Sequence, residues 1–467
     1  MDAMADARDL IAHARAAHVV VIGGGVAGSV VALDCAKVGM DVTVLEAADR
    51  LGGALAGADL DGWRVDGPTD SFAADAPALS GLLTELGLAD LVRPVEPATR
   101  WIGTAPLPGD AVVGIPANPW DPAVRALIGW RGTWRAYLDR LRPPLTIGHE
   151  RRLGALVRSR MGDRVCERMV APVTRALFDL EPEQVDVELA APGLSSALTR
   201  TGSLAGAVAA AGPSSGVRAT LAGGLAQLPL ALAEQLERLG VGIRTGSTAR
   251  RLSRDGDGWL VTAVAAGDDE EEIELRADVV VLATGEADVR RLLDGVLTLP
   301  EGPAVHETDL VLLRVRMPEA ARADVFPVRG AARRITDVTG AGSAGAESAE
   351  RIVRVALPAS GDPDETVVAR ARDAASEAFG RPLVDSDVRA AVRMRATTAP
   401  REELGRDGWS AGVRRAVHGV RGLAAAGAWI ATDELAEVVA DARDESSRVR
   451  RLVLWGEDRE AEPERHH

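Results

Sequence analysis

His18-Val-Val-Val-Ile22, followed at once by Gly23-Gly-Gly-Val-Ala-Gly28, opens the stretch HVVVIGGGVAGSVVALDCAKVGMDVTVLEAADRLGG, which runs to Gly53. Residues 18–22 form a short apolar β-branched run, the pattern of a strand buried on both faces of a parallel sheet. Gly23, Gly25 and Gly28 spell GxGxxG and lead into a predicted helix of small and apolar residues from Ser29 to Val38. Gly39 stops that helix, and Asp41 to Leu45 is a second predicted strand, ending at Glu46. This strand–turn–helix–strand context lifts a short glycine motif above chance. Gly23 permits the tight turn, Gly25 lets backbone approach a pyrophosphate, and Gly28 allows helix and strand to pack closely. The pyrophosphate would sit on unpaired N–H groups at the positive end of the helix, with Val26 and Ala27 among the candidate cofactor contacts. Glu46, with Ala47 after it, is placed to accept hydrogen bonds from an adenosine ribose. A glycine-rich loop in an ordinary α/β domain is the plainer alternative, and the four features together favour dinucleotide binding.

Arg50-Leu-Gly-Gly53 narrows the nucleotide. This RxGG, with Gly52 and Gly53, resembles the FAD-binding families related to amine oxidases, phytoene desaturases and protoporphyrinogen oxidases. The resemblance implies FAD as cofactor, with the glycines letting the chain run beside its pyrophosphate and ribityl chain. Taken alone, Arg50 reads as a solvated loop arginine.

A chain of 467 residues exceeds one ordinary core, so two or three domains are expected. The apolar fraction of 46% is that of a globular protein, and the 3% of aromatic residues leaves a core of Ala, Val and Leu. A net charge of −15 argues against nucleic acid, which demands clustered positive charge. Residues 1–17 hold acidic residues and no long apolar core, unlike a secretory signal. No run of about eighteen apolar residues suggests a spanning helix. Cys35 and Cys166 read as buried, reduced residues, and a cytoplasmic protein is expected. The seven histidines show no metal-ligand spacing, so no metal is expected. The oligomeric state is left open.

The fold class read from this pattern is α/β: a Rossmann-like FAD-binding domain with an inserted α+β substrate domain and a helical subdomain. The FAD-binding domain is expected to be discontinuous, from residues 18–77, 217–300 and 416–455. Residues 78–216 read as a mainly helical substrate or cap region and 301–415 as a substrate-binding sheet region, with tails at 1–17 and 456–467. Asp121 to Leu141 is a plausible amphipathic helix carrying Trp130, Trp134 and Tyr137. Its aromatics could line a cavity or touch a membrane surface, although core packing is the ordinary reading. Ala207 to Gly216 reads as a linker. Leu228 to Leu239 is a predicted helix, Val241 to Thr245 a strand, and Trp259 to Val264 with Ile273 to Leu275 a hairpin around an acidic turn at 267–271. Asp278 to Leu282 is a buried strand running into Ala283, Thr284 and Gly285. Strands are also expected at Leu310 to Val315 and Ile352 to Leu357, a helix from Glu365 to Phe379, and a mobile loop from Thr339 to Glu350. Val420 to Ile430 leads into a last predicted helix, Glu434 to Ser447.

In this order the chain resembles the protoporphyrinogen/coproporphyrinogen oxidases of bacterial haem synthesis over nearly its whole length. The resemblance rests on the glycine motif, Val65-Asp-Gly-Pro-Thr-Asp-Ser-Phe72, PLPGDAVVGIP at 106–116, Arg168 to Leu204 with its GLSSALTRTGSL, Leu221-Ala-Gly-Gly-Leu225 and Gly427-Ala-Trp429. It implies an FAD-dependent, six-electron oxidation of coproporphyrinogen III or protoporphyrinogen IX to the porphyrin, with O2 as acceptor and H2O2 as product. It also implies that Thr248, Ala283, Thr284, Gly427, Ala428, Trp429, Glu434 and Leu435 join the glycine-motif residues around FAD. Arg93, Arg100, Arg131 and Arg175 are candidate substrate contacts, and Trp101 and Phe178 could pack on a macrocycle. Peripheral membrane contact is left open.

Three stretches depart from the family pattern. Ala73, Ala74, Asp75 and Ala76 stand where basic residues suited to a propionate are usual. Arg175 to Asp179 replaces a glycine-and-tyrosine segment. Ala431-Thr-Asp-Glu434 replaces a glycine-rich link to the last helix, where Asp433 and Glu434 would oppose negative charge on a reduced flavin if they faced it. The ordinary reading turns these acids to solvent, with Thr432 or Asp433 as the N-cap. Two other functions stay open: an amine-oxidase or desaturase type of enzyme, and a catalytically impaired paralogue.

Overall fold

The computed structural model describes residues 10, 12–96, 98–141, 150–212, 216–266, 271–303, 305–317, 324–339 and 350–456. Strand His18–Ile22 lies inside a five-stranded parallel sheet, between Asp41–Leu45 and Val279–Leu282. Gly242–Arg244 extends the first side and Leu423–Ala425 the second. Val, Ile and Leu fill these strands because both faces are covered. On one face, helix Val26–Lys37 packs in a core with Leu228, Leu232, Leu236, Val439 and Val449. On the other face lies the antiparallel sheet Ser247–Asp255, Gly258–Ala265 and Glu272–Ala277, with the fully buried Trp259 and helix Arg406–His418.

A second, seven-stranded sheet runs in the order Val388–Thr398, His306–Arg316, Glu350–Pro358, Arg334–Asp337, Asp324–Phe326, Arg100–Ile102 and Ala105–Pro106. Helix Asp364–Phe379 covers one face of it through Val367, Ala371 and Ala375. A separate core of helices between residues 122 and 211 closes around Ile128, Val157, Met169 and Leu194. A small three-stranded sheet, Phe72–Ala73 with Arg218–Leu221 and Val92–Pro94, brings distant parts of the chain together.

Several expectations shift. The first helix begins at Val26, not Ser29, because Gly25 supplies the extended N-cap. The last helix runs from Leu435 to Trp455, eight residues past the expected end. Within the segment read as mainly helical, Val92–Pro94 and Arg100–Pro106 contribute strands, too short to carry a period of their own. Ala207 to Ala211 belong to helix Leu204–Ala211 rather than a linker. Ser203 Oγ accepts from the Gly206 N–H at 3.1 Å, and alanine, though low in complexity, is the best helix former. The linker residues 213–215, the acidic turn at 267–270 and the loop at 340–349 lie outside the described residues. Trp130 and Trp134 are exposed instead of core.

Candidate cofactor and substrate site

The glycine loop sits at the carboxyl end of the central strand, where the chain turns to opposite sides of the sheet in reaching its two neighbours. Ligands bind there in open parallel sheets. Gly23 has φ +109°, and a Cβ on it would lie 2.4 Å from the Ala283 carbonyl oxygen. A Cβ on Gly28 would lie 2.0 Å from the Gly23 carbonyl oxygen, so the first helical turn is packed against the loop. A Cβ on Gly25 would meet nothing within 4 Å: space is open where a phosphate must approach. The helix starting at Val26 has no side-chain cap and no acid in its first turn, so its N–H groups are left for an anion.

The neighbouring groups converge on this opening. Glu46 accepts from the Gly24 N–H at 2.7 Å and the Ala48 N–H at 2.8 Å, which orients its carboxylate at the end of Asp41–Leu45. Ala47 is exposed beside it. The Gly52 N–H donates to the Gly24 carbonyl at 2.9 Å and Gly52 bridges Gly25, so the RxGG turn lies on the glycine loop with Gly53. Arg50 donates to the Gly57 carbonyl at 3.3 Å. The Ser247 N–H donates to the Glu46 carbonyl, which brings half-buried Thr248 to the same strand end. Ala283 and Thr284 follow directly on the next strand, and Gly427 on the one after; a Cβ on Gly427 would lie 3.8 Å from the Ala283 oxygen. Ala428 is exposed, whereas Trp429 is buried and donates from Nε1 to the Ala426 carbonyl. An open cradle above bare N–H groups, with a ribose-accepting carboxylate beside it, fits the adenosine and pyrophosphate parts of FAD.

The closing segment differs from both sequence alternatives. Glu434 itself occupies the N-cap position of Leu435–Trp455, and Thr432 Oγ1 accepts the Glu434 N–H at 3.1 Å. The Glu434 carboxylate is turned neither to bare solvent nor left unpaired. It accepts from Arg218 Nη1 at 2.5 Å and from the Ala73 N–H at 3.0 Å. Loss of hydration among its neighbours raises the Asp433 pKa; Glu434 adds to the rise, while the Ala399 N–H, Arg406 and His306 oppose it. Glu402, near Asp433, is pushed up to about 7, chiefly by burial.

Beside this end, strands far apart in sequence bring four guanidiniums together. Arg354 Nη2 donates to Asp70 at 2.7 Å and its Nη1 to the Gly67 carbonyl at 2.8 Å. Arg334 grips Asp324 with two bonds of 2.9 Å, and Arg100 Nε lies 3.9 Å from the same carboxylate. Arg218 completes the group beside Ser71. The crowding registers in their acidities. Burial, then the repulsion of Arg334 and Arg218, lowers the Arg100 pKa against the pull of Asp324. Burial disfavours the charged form of Asp70, but Arg354 and Arg334 outweigh it and hold that carboxyl below its usual range. Four guanidiniums thus stand among the carboxyls Asp70, Asp324, Glu434 and Asp66, the last beside Arg354 and Asp70 and pushed up to about 6, chiefly by burial.

Of the candidate substrate residues, only Arg100 belongs to this group. Arg93 is exposed and donates to carbonyls of its own turn, and Arg131 is exposed on helix Pro122–Tyr137. Arg175 pairs with Glu181 at 2.8 Å, close enough to Arg333 to lower its pKa alongside burial. Phe178 packs against the helical core and Trp101 against the core of the seven-stranded sheet. Arg218, Arg334 and Arg354 were missed because arginines are spread along the whole chain and no local spacing marks these three.

The model of the flavin-containing amine oxidoreductases matches residues 26–307. The coproporphyrinogen III oxidase of Propionibacterium freudenreichii subsp. freudenreichii is 29% identical over 322 residues, covering 59% of this chain and 58% of that protein. That of Mycobacterium tuberculosis (strain ATCC 25618 / H37Rv) is 31% identical over 290 residues, covering 59% and 60%. The matched stretch therefore spans about three fifths of these curated relatives. A crystal structure from Exiguobacterium sp. 255-15, provisionally assigned as a protoporphyrinogen oxidase, superposes with a TM-score of 0.79 at 22% identity, over 93% of this chain and 99% of that one. Reduced UDP-galactopyranose mutase gives a TM-score of 0.66 at 12% identity over 95% of each chain, so the two structures share the fold. With the cradle at Gly23–Gly28 and a family match over more than half its length, the chain belongs to the flavin-containing amine oxidoreductases, a family of FAD-dependent oxidoreductases.

Proposed function

We propose that this protein is a porphyrinogen oxidase, converting coproporphyrinogen III or protoporphyrinogen IX to the porphyrin in the cytoplasm, with O2 reduced to H2O2. The observation that carries the reading is the group Arg100, Arg218, Arg334 and Arg354 beside the closing segment of the cofactor site. A porphyrinogen is an apolar macrocycle edged with carboxylates, and guanidiniums suit carboxylates as two-point partners. The similarity to coproporphyrinogen III oxidases adds to it. FAD, when bound, supplies the hydride acceptor for a meso carbon and delivers the electrons to oxygen.

The protein's own part is binding and orientation. The N–H groups of residues 26–28 and the Glu46 carboxylate would hold the adenosine diphosphate portion of the cofactor. Residues 18–77, 217–300 and 416–455 would together form that cofactor domain, and 301–415 the sheet that bears substrate contacts. Asp70 and Asp324 keep Arg354 and Arg334 oriented, so less side-chain freedom is lost when a substrate carboxylate arrives. No nucleophile is required, since the bond broken is a C–H bond at the bridge carbon.

The test is turnover by FAD-loaded protein, read as porphyrin fluorescence together with H2O2. Porphyrin formation without oxidation of amines is expected. Arg100→Ala with Arg334→Ala should raise KM about tenfold, the loss of roughly one charge-assisted contact. Oxidation of amines without porphyrin, or an unchanged KM in the double variant, would sink the assignment.

A further inference from the structure

Three of the four guanidiniums beside the closing segment are paired, and the pairs are unequal. Asp324 is 5% exposed and takes two bonds of 2.9 Å from Arg334, with Thr336 Oγ1 donating to it at 3.2 Å. Arg354 is 8% exposed and is tied both to Asp70 and to the Gly67 carbonyl. Parting either pair would strand a charge largely out of reach of water, which is strongly unfavourable. Arg218 and Glu434 are 40% and 28% exposed, so water can replace either partner and their attraction is weak. Of the three pairs, this is the one that a ligand can open.

Both side chains keep their places when it opens. Arg218 Nη2 donates to the Ser71 carbonyl at 2.6 Å, and Nη2 and Nε lie 3.2 and 3.3 Å from Ser71 Oγ; Nη1 is the atom on Glu434. Glu434 Oε2 takes that bond, whereas its Oε1 accepts the Ala73 N–H at 3.0 Å. Parting therefore leaves a guanidinium still held along one edge and a carboxylate with a hydrogen bond and access to water. Arg100, the fourth of the group, is exposed, and its side chain makes no hydrogen bond among the described residues; Asp324 is 3.9 Å from its Nε. It stands close enough to Arg218 for the two charges to repel. A carboxylate from outside would relieve that repulsion and fill the donors of both.

We propose that Glu434 is an internal stand-in for a substrate carboxylate: it occupies Arg218 Nη1 in the free protein and yields it to a ligand carboxylate that Arg100 binds as well. This exchange rests on the porphyrinogen reading and adds to it a residue that sets carboxylate selectivity. One ion pair is traded for another, so an acid-bearing ring gains the site, while an uncharged ring of the same shape has nothing with which to open it. The displaced pair weakens binding by its own strength, about two- to fivefold for partly exposed partners.

Coproporphyrin III, the oxidised ring with its carboxylates in place, is the probe. Its affinity for the FAD-loaded protein is read from the shift of its Soret absorption, and a crystal structure of the wild-type complex locates its carboxylates. Glu434→Gln keeps an acceptor for the Ala73 N–H and should tighten binding about two- to fivefold. Coproporphyrin tetramethyl ester should bind wild-type protein at least about tenfold more weakly than the acid. In the wild-type complex Arg218 Nη1 should bond a porphyrin carboxylate, with Glu434 still on the Ala73 N–H and parted from Arg218. Coproporphyrin bound with the Arg218–Glu434 contact intact overturns the proposal and leaves the porphyrinogen reading standing, even where Glu434→Gln binds more tightly, since that gain is then plain charge repulsion. An unchanged affinity in Glu434→Gln overturns the proposal in the same way. Wild-type protein that binds no coproporphyrin, or that binds acid and ester equally, overturns both.

Discussion

Arg218 and Glu434 meet at 2.5 Å, Nη1 to Oε2, joining strand Arg218–Leu221 to the N-cap of the last helix. The contact shows how this acid is accommodated: its charge is neutralised sideways, by a guanidinium that pairing register places opposite Ala73. The same guanidinium stands where residues 73–76 lack a basic group of their own. Arg218→Ala should therefore separate stability from binding. Both partners are partly exposed, at 40% and 28%, so unfolding free energy should change by about 1 kcal/mol or less. KM for porphyrinogen should rise severalfold, because one basic group is lost and one carboxylate is released nearby. Urea unfolding and steady-state kinetics on the same preparation check both statements.

Gly28→Ala puts a methyl group 2.0 Å from the Gly23 carbonyl oxygen, and that atom is backbone. The loop must shift, at a cost of about 1–3 kcal/mol. FAD retention should drop at least about tenfold, visible as loss of the flavin absorption after gel filtration. Gly81→Ala, at a helical site where a Cβ meets nothing within 4 Å, is the control and should keep its flavin.

Arg354 is almost fully buried and bonds both Asp70 and the Gly67 carbonyl. Arg354→Ala leaves the Asp70 carboxylate without its main partner and should destabilise by about 3–5 kcal/mol. Adding Asp70→Asn removes the stranded charge and should recover part of that loss. A double-mutant cycle in urea measures the coupling.

Glu445 contributes to the acid response. It is buried, accepts the Ala425 N–H and faces His418 and Arg448. Burial alone would raise its pKa, but the His418 bond and Arg448 prevail and bring it down to about 2. A carboxyl depressed in the folded state stabilises above its unfolded value, near 4.5, and loses that contribution as pH falls through about 2. Between those values stability should fall by about 3 kcal/mol in the wild type. Glu445→Gln should lower stability at neutral pH and flatten this acid limb; denaturation midpoints across pH 2–6 would show whether the slope persists.

The glycine turn proposed as the cofactor cradle was legible because it is local. Gly23, Gly25, Gly28 and Glu46 lie within one strand–helix–strand unit, and the periods of β-branched and small residues mark its elements directly. The outward Trp130 and Trp134 were not legible, since an aromatic on an amphipathic helix reads the same whether a neighbour covers it or not. Short strands such as Arg100–Ile102 were invisible for another reason: they exist through their partners, and three residues carry no alternation.

By itself, then, the sequence determined the dinucleotide fold, the flavin class and the ends of the two strands around the glycine loop, His18–Ile22 and Asp41–Leu45, because backbone demands at glycines and burial on both faces of a sheet act over a few residues. Tertiary structure decided where the arginines proposed for the substrate stand. Arg100, Arg218, Arg334 and Arg354 become neighbours only when strands from three separate stretches of the chain take their places, and Arg218 then lies opposite Ala73, beside a stretch that has no basic residue of its own. Charge acts through space, and only the folded chain sets those distances.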